Sequence, residues 1–184
     1  MEYGFGAHDG GIFQFAWVVE NLEETIDQWV RETGVGPWYV LENFTGIDGQ
    51  YRGKPANAVY RLAMSFANGV NIELIQPLDD NPSVYREMLE RKGHGFHHMG
   101  VLVPNVDAAI PGYEARGFAV AFKAGVPTGG NVAYLDPPPG GPGIPADFIE
   151  LIPGGEMTDR AFTGMWQSTR DWDGKDPIRP FPTG

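Results

Sequence analysis

The chain contains no cysteine among its 184 residues, which excludes disulfide bonds, a thiolate nucleophile and a cysteine-ligated metal site. Basic residues are scarce, since 13 Lys and Arg stand against 24 Asp and Glu and the net charge is −11. We therefore expect no nucleic-acid partner, because phosphate binding needs clustered Lys and Arg. No apolar run is long enough for a membrane span, and the N-terminus MEYGFGAHDGG does not resemble a signal peptide. A cytoplasmic protein with no membrane partner is the default expectation.

Glycine and proline are abundant, at 26 and 16, and lie between apolar runs, a pattern that favours many short strands and turns. The predicted strands cover 12–20, 37–44, 58–67, 70–76, 95–105, 118–124, 131–136 and 146–153, and the predicted helices lie near 22–33, 82–92, 106–113 and 156–170. Asn21 is suited to cap the first helix and Gly34 to end it. Asn68-Gly69 predicts a tight hairpin turn, and the polar stretch 45–57 predicts a loop.

This order of elements, β-α-β-β-β, occurs twice along the chain. Aligning Gln14 with His98 places residues 16–29 on residues 100–113, with identical pairs at Val19/Val103, Asn21/Asn105 and Ile26/Ile110. We therefore predict an α+β fold with a first βαβββ module at 10–77, a connector helix within 78–94 and a second βαβββ module at 95–153. The tail, 154–184, should contain a helix, and its apolar residues should pack on the sheets or on a partner subunit.

A glutamate stands in the middle of each of two apolar runs, Glu73 in NIELIQP and Glu150 in DFIELIP. Gln14 and His98 hold equivalent positions in the first strand of each module. A buried carboxylate costs several kcal/mol unless it meets a cation, hydrogen-bond donors or a proton. If a pseudo-two-fold axis relates the modules, these four side chains converge. Three oxygens and one nitrogen suit a divalent metal such as Zn, Ni, Co, Mn or Fe.

Simpler interpretations of the same residues remain open. A glutamate in a strand is often exposed to solvent, a glutamine usually lies on the surface, and His98 could be a hydrogen-bonded core histidine. His97 should face away from the site, since neighbouring side chains on a strand alternate between faces. His97 should then belong to the packing or the hydrogen bonding of the other face of the sheet.

The paired modules resemble the vicinal oxygen chelate superfamily, which includes glyoxalase I, methylmalonyl-CoA epimerase, extradiol dioxygenases and bleomycin-resistance proteins. The resemblance covers about residues 10–153, and HHMGVLVPNVDAA is similar to the start of the family's second module. It implies an open barrel lined by metal ligands and a homodimer. It also implies that His98, Glu73 and Glu150 are ligands, and that Gln14 replaces a common histidine, as in zinc glyoxalase I.

The resemblance implies a divalent-metal-dependent isomerase, epimerase or lyase, in which Glu150 or Glu73 abstracts a proton next to a metal-bound carbonyl. The sequence shows no basic cluster suited to glutathione or coenzyme A. Its aromatic residues favour a small, oxygenated, apolar or aromatic substrate. Two alternatives stay open: a metal-free protein that sequesters drug-like molecules, and a non-haem iron dioxygenase of the extradiol type. Gln14 removes one of the two histidines that such dioxygenases use.

Overall fold

The fold is a mixed sheet with four helices in the described part of the chain, residues 1–139 and 146–182 of a computed structural model. The strands are β1 Ile12–Val18, β2 Trp38–Phe44, β3 Ile47–Tyr51, β4 Lys54–Pro55, β5 Tyr60–Ala67, β6 Val70–Pro77, β7 Gly95–Val103, β8 Ala119–Gly125, β9 Asn131–Asp136, β10 Phe148–Pro153 and β11 Ile178–Pro180. The helices are α1 Leu22–Thr33, α2 Val84–Lys92, α3 Val106–Glu114 and α4 Glu156–Arg170. The predicted α+β class is confirmed. No helix within these residues is long and apolar enough to cross a membrane.

Strand pairing is equivalent in the N-terminal and C-terminal halves. Each half begins with a strand that runs parallel to the last strand of the same half, β1 beside β6 and β7 beside β10. Ala16 pairs with Glu73 in the first half, and Gly100 pairs with Glu150 in the second. The two glutamates therefore occupy the same place in the two halves, each beside a small residue of the neighbouring strand.

The two halves meet where β1 and β7 pair in the antiparallel direction, at the middle of the sheet. Gln14 lies opposite Gly100, and Ala16 lies opposite His98. Gln14 is equivalent to His98 and Ala16 to Gly100, so exchanging the two halves leaves this register unchanged. The strands that carry the four polar residues, β6, β1, β7 and β10, are consecutive in the sheet.

Alternation along the strands divides the apolar residues between the two faces of the sheet. Leu74 packs with residues of α1, and Leu151 packs with residues of α3. Ile75 and Ile152 point the other way and belong to a central core. Glu73 and Glu150 are two residues before these isoleucines, so their side chains lie on the central face. Each glutamate in an IELI run therefore points into the interior of the protein.

The tail folds over this central face. Phe162 and Met165 of α4 are buried in the central core, and β11 pairs parallel with β2 at one edge of the sheet. Phe181, just after β11, joins the same core. These three apolar residues of the tail thus pack on the sheet, as expected, whereas Met157 and Ile178 remain exposed.

The local turn and capping signals behave as predicted at three points. The side chain of Asn21 accepts a hydrogen bond from the Glu24 amide at the start of α1, and Gly34 ends that helix in the left-handed region at φ 70°. Asn68, at φ 57°, begins the two-residue turn that joins β5 to β6. These signals work because they depend only on residues close in the sequence.

The prediction of a loop over 45–57 is wrong. This segment forms β3 and β4, and β3 pairs with β8 of the other half, with Gln50 opposite Lys123. Arg52 and Gly53 have φ values of 47° and 76°, which allows the tight turn between β3 and β4. The pairing partner is remote in sequence, so the polar local pattern gives no sign of it.

Candidate metal centre

The four polar residues singled out from the sequence are all buried. The exposed fraction is 1% for Gln14, 3% for Glu73, 0% for His98 and 6% for Glu150. These values exclude the simpler interpretation that the glutamates and the glutamine face solvent. The side chains lie on the central face, at the middle of four consecutive strands.

The structure brings the four side chains together. Glu73, His98 and Glu150 each offer one ligand atom within 4.8 Å of the other two. Nε2 of His98 lies 3.0 Å from Oε2 of Glu150 and 3.4 Å from Oε2 of Glu73. Oε1 of Gln14 lies 3.4 Å from the same nitrogen. Three oxygen groups therefore surround one imidazole nitrogen.

This arrangement shifts the protonation of the residues at its centre. The pKa of Glu73 is raised overall. Burial is the largest cause, the hydrogen bond with His98 acts in the opposite direction, and the nearby Glu150 carboxylate raises the pKa further. Burial alone would lower the pKa of His98, but Glu150 and Glu73 outweigh that effect and raise it to about 9. In the absence of another cation, a proton on His98 partly neutralises the carboxylates at neutral pH.

A divalent metal fits these residues. Oε2 of Glu73 is buried and has no hydrogen-bond partner among residues 1–139 and 146–182, although a buried carboxylate oxygen is normally paired. Two carboxylates held close together need a positive charge that one imidazolium supplies only in part. Carboxylate, amide oxygen and imidazole nitrogen are all ligands of first-row divalent ions. The donor set and the unpaired oxygen are thus both explained by a cation at the centre.

Asn71 orients the amide of Gln14, a role that the sequence did not reveal. Nε2 of Gln14 donates to Oδ1 of Asn71 over 3.0 Å, and Nδ2 of Asn71 donates to the Ser65 carbonyl over 3.1 Å. Because the amide nitrogen is held by Asn71, its oxygen is turned toward His98. One sign of this role was present in the sequence, because Asn71 shares a strand face with Glu73.

Gly100 allows the Gln14 side chain to approach the centre. A Cβ atom on Gly100 would lie 2.7 Å from Oε1 of Gln14 and 2.7 Å from Cδ1 of Ile152. Contacts this short do not occur between real side chains, so any larger residue would displace its neighbours. The absence of a side chain at Gly100 is therefore part of the site.

The prediction that His97 faces away from the site is wrong. Nδ1 of His97 lies 2.9 Å from Nδ1 of His98, and Nε2 of His97 lies 3.2 Å from the Val84 carbonyl oxygen. The register of β7 against β1 shifts between the pairs Ala16/His98 and Trp17/Phe96, which leaves His97 as an extra residue in a β-bulge. A bulge breaks the alternation of side chains. Burial and the neighbouring His98 lower the pKa of His97 well below its usual value.

An apolar cavity of about 60 Å³ adjoins the centre. Gln14, Glu73 and Glu150 contribute to its lining, and the two glutamates are its sole charged residues within the described part of the chain. Its aromatic lining residues are Phe44, Tyr60, Tyr85, Phe122, Tyr134, Phe162 and Phe181. The hydroxyls of Tyr85 and Tyr134 lie 3.0 Å apart, and burial raises the pKa of both phenols well above the ordinary value. The cavity thus combines aromatic walls with neutral hydroxyl groups.

Comparison with solved structures identifies proteins of similar fold. A methylmalonyl-CoA epimerase from Mycobacterium tuberculosis matches with a TM-score of 0.56 and 17% identity, covering 84% of this chain and 96% of the epimerase. A hypothetical protein from Bacillus halodurans C-125 matches with a TM-score of 0.57 and 16% identity, covering 79% of this chain and 95% of that protein. A variant of Streptomyces coelicolor methylmalonyl-CoA epimerase, in complex with 2-nitronate-propionyl-CoA, matches with a TM-score of 0.56 and 16% identity over 81% of this chain and all of that one.

No curated protein matches the chain in sequence. Residues 13–134 match the family described as the glyoxalase/bleomycin resistance protein/dioxygenase superfamily. This range includes Gln14, Glu73 and His98, and it spans most of both halves of the sheet. The chain therefore belongs to the glyoxalase/bleomycin resistance protein/dioxygenase superfamily, the vicinal oxygen chelate superfamily.

Proposed function

We propose that the protein is a divalent-metal-dependent isomerase, epimerase or lyase that acts on a small carbonyl compound. The observation that carries this proposal is the buried group of Glu73, His98 and Glu150, whose ligand atoms lie within 4.8 Å of one another beside an apolar cavity. Membership of the superfamily and the epimerases among its structural neighbours support the same class of reaction.

Gln14, Glu73, His98 and Glu150 are the proposed ligands, and Zn, Ni, Co, Mn or Fe is the proposed metal. A bound divalent ion would supply Lewis acidity, which polarises a substrate carbonyl and acidifies the adjacent C–H bond. The protein's own contribution is the rigid placement of the four donors on neighbouring strands. Since all four are buried, bulk water competes little with the substrate at this point.

Glu150 is the proposed base that removes the proton next to the carbonyl. It lines the cavity and, with 6% of its surface exposed, is more accessible than Glu73 at 3%. Oε2 of Glu150 lies 3.0 Å from Nε2 of His98, the proposed ligand atom, so the carboxylate would stand beside a substrate carbonyl held at the centre. Glu73 occupies the equivalent position in the other half and is the alternative base.

The proposed substrate is small, oxygenated and apolar or aromatic. The aromatic rings of Tyr60, Tyr85 and Tyr134 line the cavity and offer surfaces for stacking. A thioester of coenzyme A or glutathione carries charged groups that need cationic partners. None of the cavity-lining residues within the described part of the chain is Lys or Arg. The body of the substrate should therefore be uncharged.

Metal content and solvent exchange test this proposal together. Purified protein should contain about one divalent ion per chain, and it should catalyse deuterium exchange from D₂O into one member of a panel of α-hydroxycarbonyls and aromatic ketones. Glu150→Gln should retain metal, while kcat falls by roughly 10²–10⁴-fold, the usual worth of a positioned base. Glu156→Gln, which changes an exposed glutamate at the start of α4, is the matched control.

Exchange at the wild-type rate in Glu150→Gln would refute the role of Glu150. Loss of exchange in Glu73→Gln with Glu150→Gln unaffected would transfer the role to Glu73. A protein that takes up no divalent ion would refute the metal-dependent function as a whole.

A metal-free binding protein is the second candidate. The observation in its favour is that the carboxylates raise the pKa of His98 to about 9, so the centre has a cation even without metal. The same aromatic cavity would then sequester a small apolar molecule. In that case ligand-induced quenching of tyrosine and tryptophan fluorescence should be unchanged by EDTA. A metal-dependent enzyme should lose its ligand affinity under the same treatment.

A further inference from the structure

We propose that His97 is a positioning residue that holds His98 in the tautomer whose Nε2 is free to bind a cation between Glu73 and Glu150. The proposal concerns the hydrogen bonds of His97 itself, and its consequence for metal binding rests on the proposed function. Nδ1 of His97 lies 2.9 Å from Nδ1 of His98, and Nε2 of His97 lies 3.2 Å from the Val84 carbonyl oxygen.

The carbonyl of Val84 fixes where the proton of His97 lies. A carbonyl oxygen can only accept a hydrogen bond, so Nε2 of His97 must carry the proton. The ring of His97 is fully buried among Tyr85, Tyr134 and Phe148, and no carboxylate of the described residues lies close enough to pair with a second ring proton. A neutral ring with its proton on Nε2 has a lone pair on Nδ1. His97 therefore accepts a hydrogen bond at Nδ1.

The donor of that hydrogen bond is Nδ1 of His98, the one partner that this nitrogen has in the described part of the chain. A divalent ion that took the place of the proton on Nε2 of His98 would leave the other proton on Nδ1 and would meet the lone pair of Nε2. Without His97 the last proton of His98 could remain on Nε2 instead, where it would donate to Oε2 of Glu150 over the observed 3.0 Å. That alternative would remove the nitrogen from the set of ligands, so His97 selects the form of His98 that can coordinate.

The β-bulge and helix α2 make this contact possible. The bulge turns His97 out of the alternation of β7 and beside His98. The acceptor, Val84, is the first residue of α2, and the next residue, Tyr85, lines the cavity. The position of α2 therefore sets both the orientation of His98 and one wall of the cavity.

The protonation pattern can be measured in the metal-free protein. Long-range ¹H–¹⁵N correlation spectra of ¹⁵N-histidine-labelled protein should show His97 protonated at Nε2 alone and His98 protonated at Nδ1. A proton on Nδ1 of His97, or on both of its nitrogens, would overturn the proposal. This measurement does not depend on metal binding, so it decides the inference even if the proposed function fails.

Substitutions test the consequence for the centre. His97→Phe keeps a planar ring and removes the acceptor, and Zn²⁺ affinity by chelator competition should fall about 10–100-fold, as for other residues that support metal ligands. His97→Asn places an oxygen near the position of Nδ1 and should recover most of that affinity. His94→Phe, at an exposed histidine between α2 and β7, is the matched control and should bind as the wild type does.

Thermal unfolding of each variant separates loss of the contact from loss of the fold. A folded His97→Phe with wild-type Zn²⁺ affinity, or a folded His97→Asn as impaired as His97→Phe, would refute the positioning role. Should the wild type itself bind no Zn²⁺ or Co²⁺, the metal-dependent function fails, and the protonation pattern of His97 still decides the present proposal.

Discussion

Replacing Gly100 by alanine should disturb the candidate centre without altering any donor atom. The added Cβ would lie 2.7 Å from Oε1 of Gln14 and 2.9 Å from Cβ of Gln14. Both distances are shorter than van der Waals contact, so the glutamine must move. Its amide is held by a 3.0 Å hydrogen bond to Asn71, and movement would weaken that bond as well. The amide oxygen should therefore leave its position near His98.

The expected cost is that of overpacking a well-packed core, about 1–3 kcal/mol. A chain of this length loses about 2–4 °C in Tm per kcal/mol, so Gly100→Ala should lower the Tm by roughly 2–12 °C. Zn²⁺ affinity should fall in parallel, because Gln14 is a proposed ligand. The assay is thermal unfolding followed by circular dichroism, in EDTA and with saturating Zn²⁺, together with chelator competition.

Gly112→Ala is the control for this experiment. An added Cβ at Gly112 meets no atom of the described residues within 4 Å, and Gly112 lies inside α3. This substitution should be neutral or should stabilise the protein by about 0.5–1 kcal/mol, since alanine is the better helix former. If Gly100→Ala keeps the wild-type Tm and Zn²⁺ affinity, the close approach of Gln14 to the centre is refuted.

Three further predictions concern the protonation of His98, the packing of α4 and the hydrogen bond of Asn71. In EDTA the free energy of unfolding should fall as the pH rises from about 6.5 to about 9, because the folded state keeps a proton on His98 that the unfolded chain has lost. Denaturant titrations at several pH values should show this fall, and Zn²⁺ should abolish it. A free energy of unfolding that rises over this range would contradict the prediction. Phe162→Ala should lower the free energy of unfolding by about 3–5 kcal/mol, because the ring is buried in the central core. Met157→Ala, at a residue 59% exposed on the same helix, should change it by less than about 0.5 kcal/mol in denaturant titrations. Equal effects of the two substitutions would contradict the packing of α4. Asn71→Ala should lower Zn²⁺ affinity about 10-fold by releasing the Gln14 amide, and an unchanged affinity in the folded variant would show that Asn71 does not orient it.

The convergence of the four polar residues could be predicted because it depends on two simple regularities. Alternation along a strand places Glu73 and Glu150 on the same face as Ile75 and Ile152, and the repeat places the two halves in equivalent registers. Both regularities follow from residue spacing alone. Because the four residues hold equivalent positions in the two halves, chance is a poor explanation for polar side chains in these apolar strands.

The features that the sequence did not reveal depend on contacts between distant residues. The bulge that brings His97 to His98 arises from the register of β7 against β1, which the sequence of β7 does not specify. The strand β11 has three residues, too few for a pattern, and forms because it meets the edge of β2. The hydrogen bond from Gln14 to Asn71 likewise joins two strands, so neither strand predicts it alone.

The pairing of β3 with β8 makes the sheet of each half incomplete without the other. The hairpin of β3 and β4 comes from the N-terminal half but completes an edge of the C-terminal one. Arg52, at the tip of this hairpin, forms ion pairs with Glu87 of α2 and Asp136 of β9. Opening either half would therefore break hydrogen bonds and ion pairs in both, so the chain should unfold as a single cooperative unit. Such cooperativity should keep the proposed ligands of the two halves at a fixed distance, because neither half would open while the other stays folded.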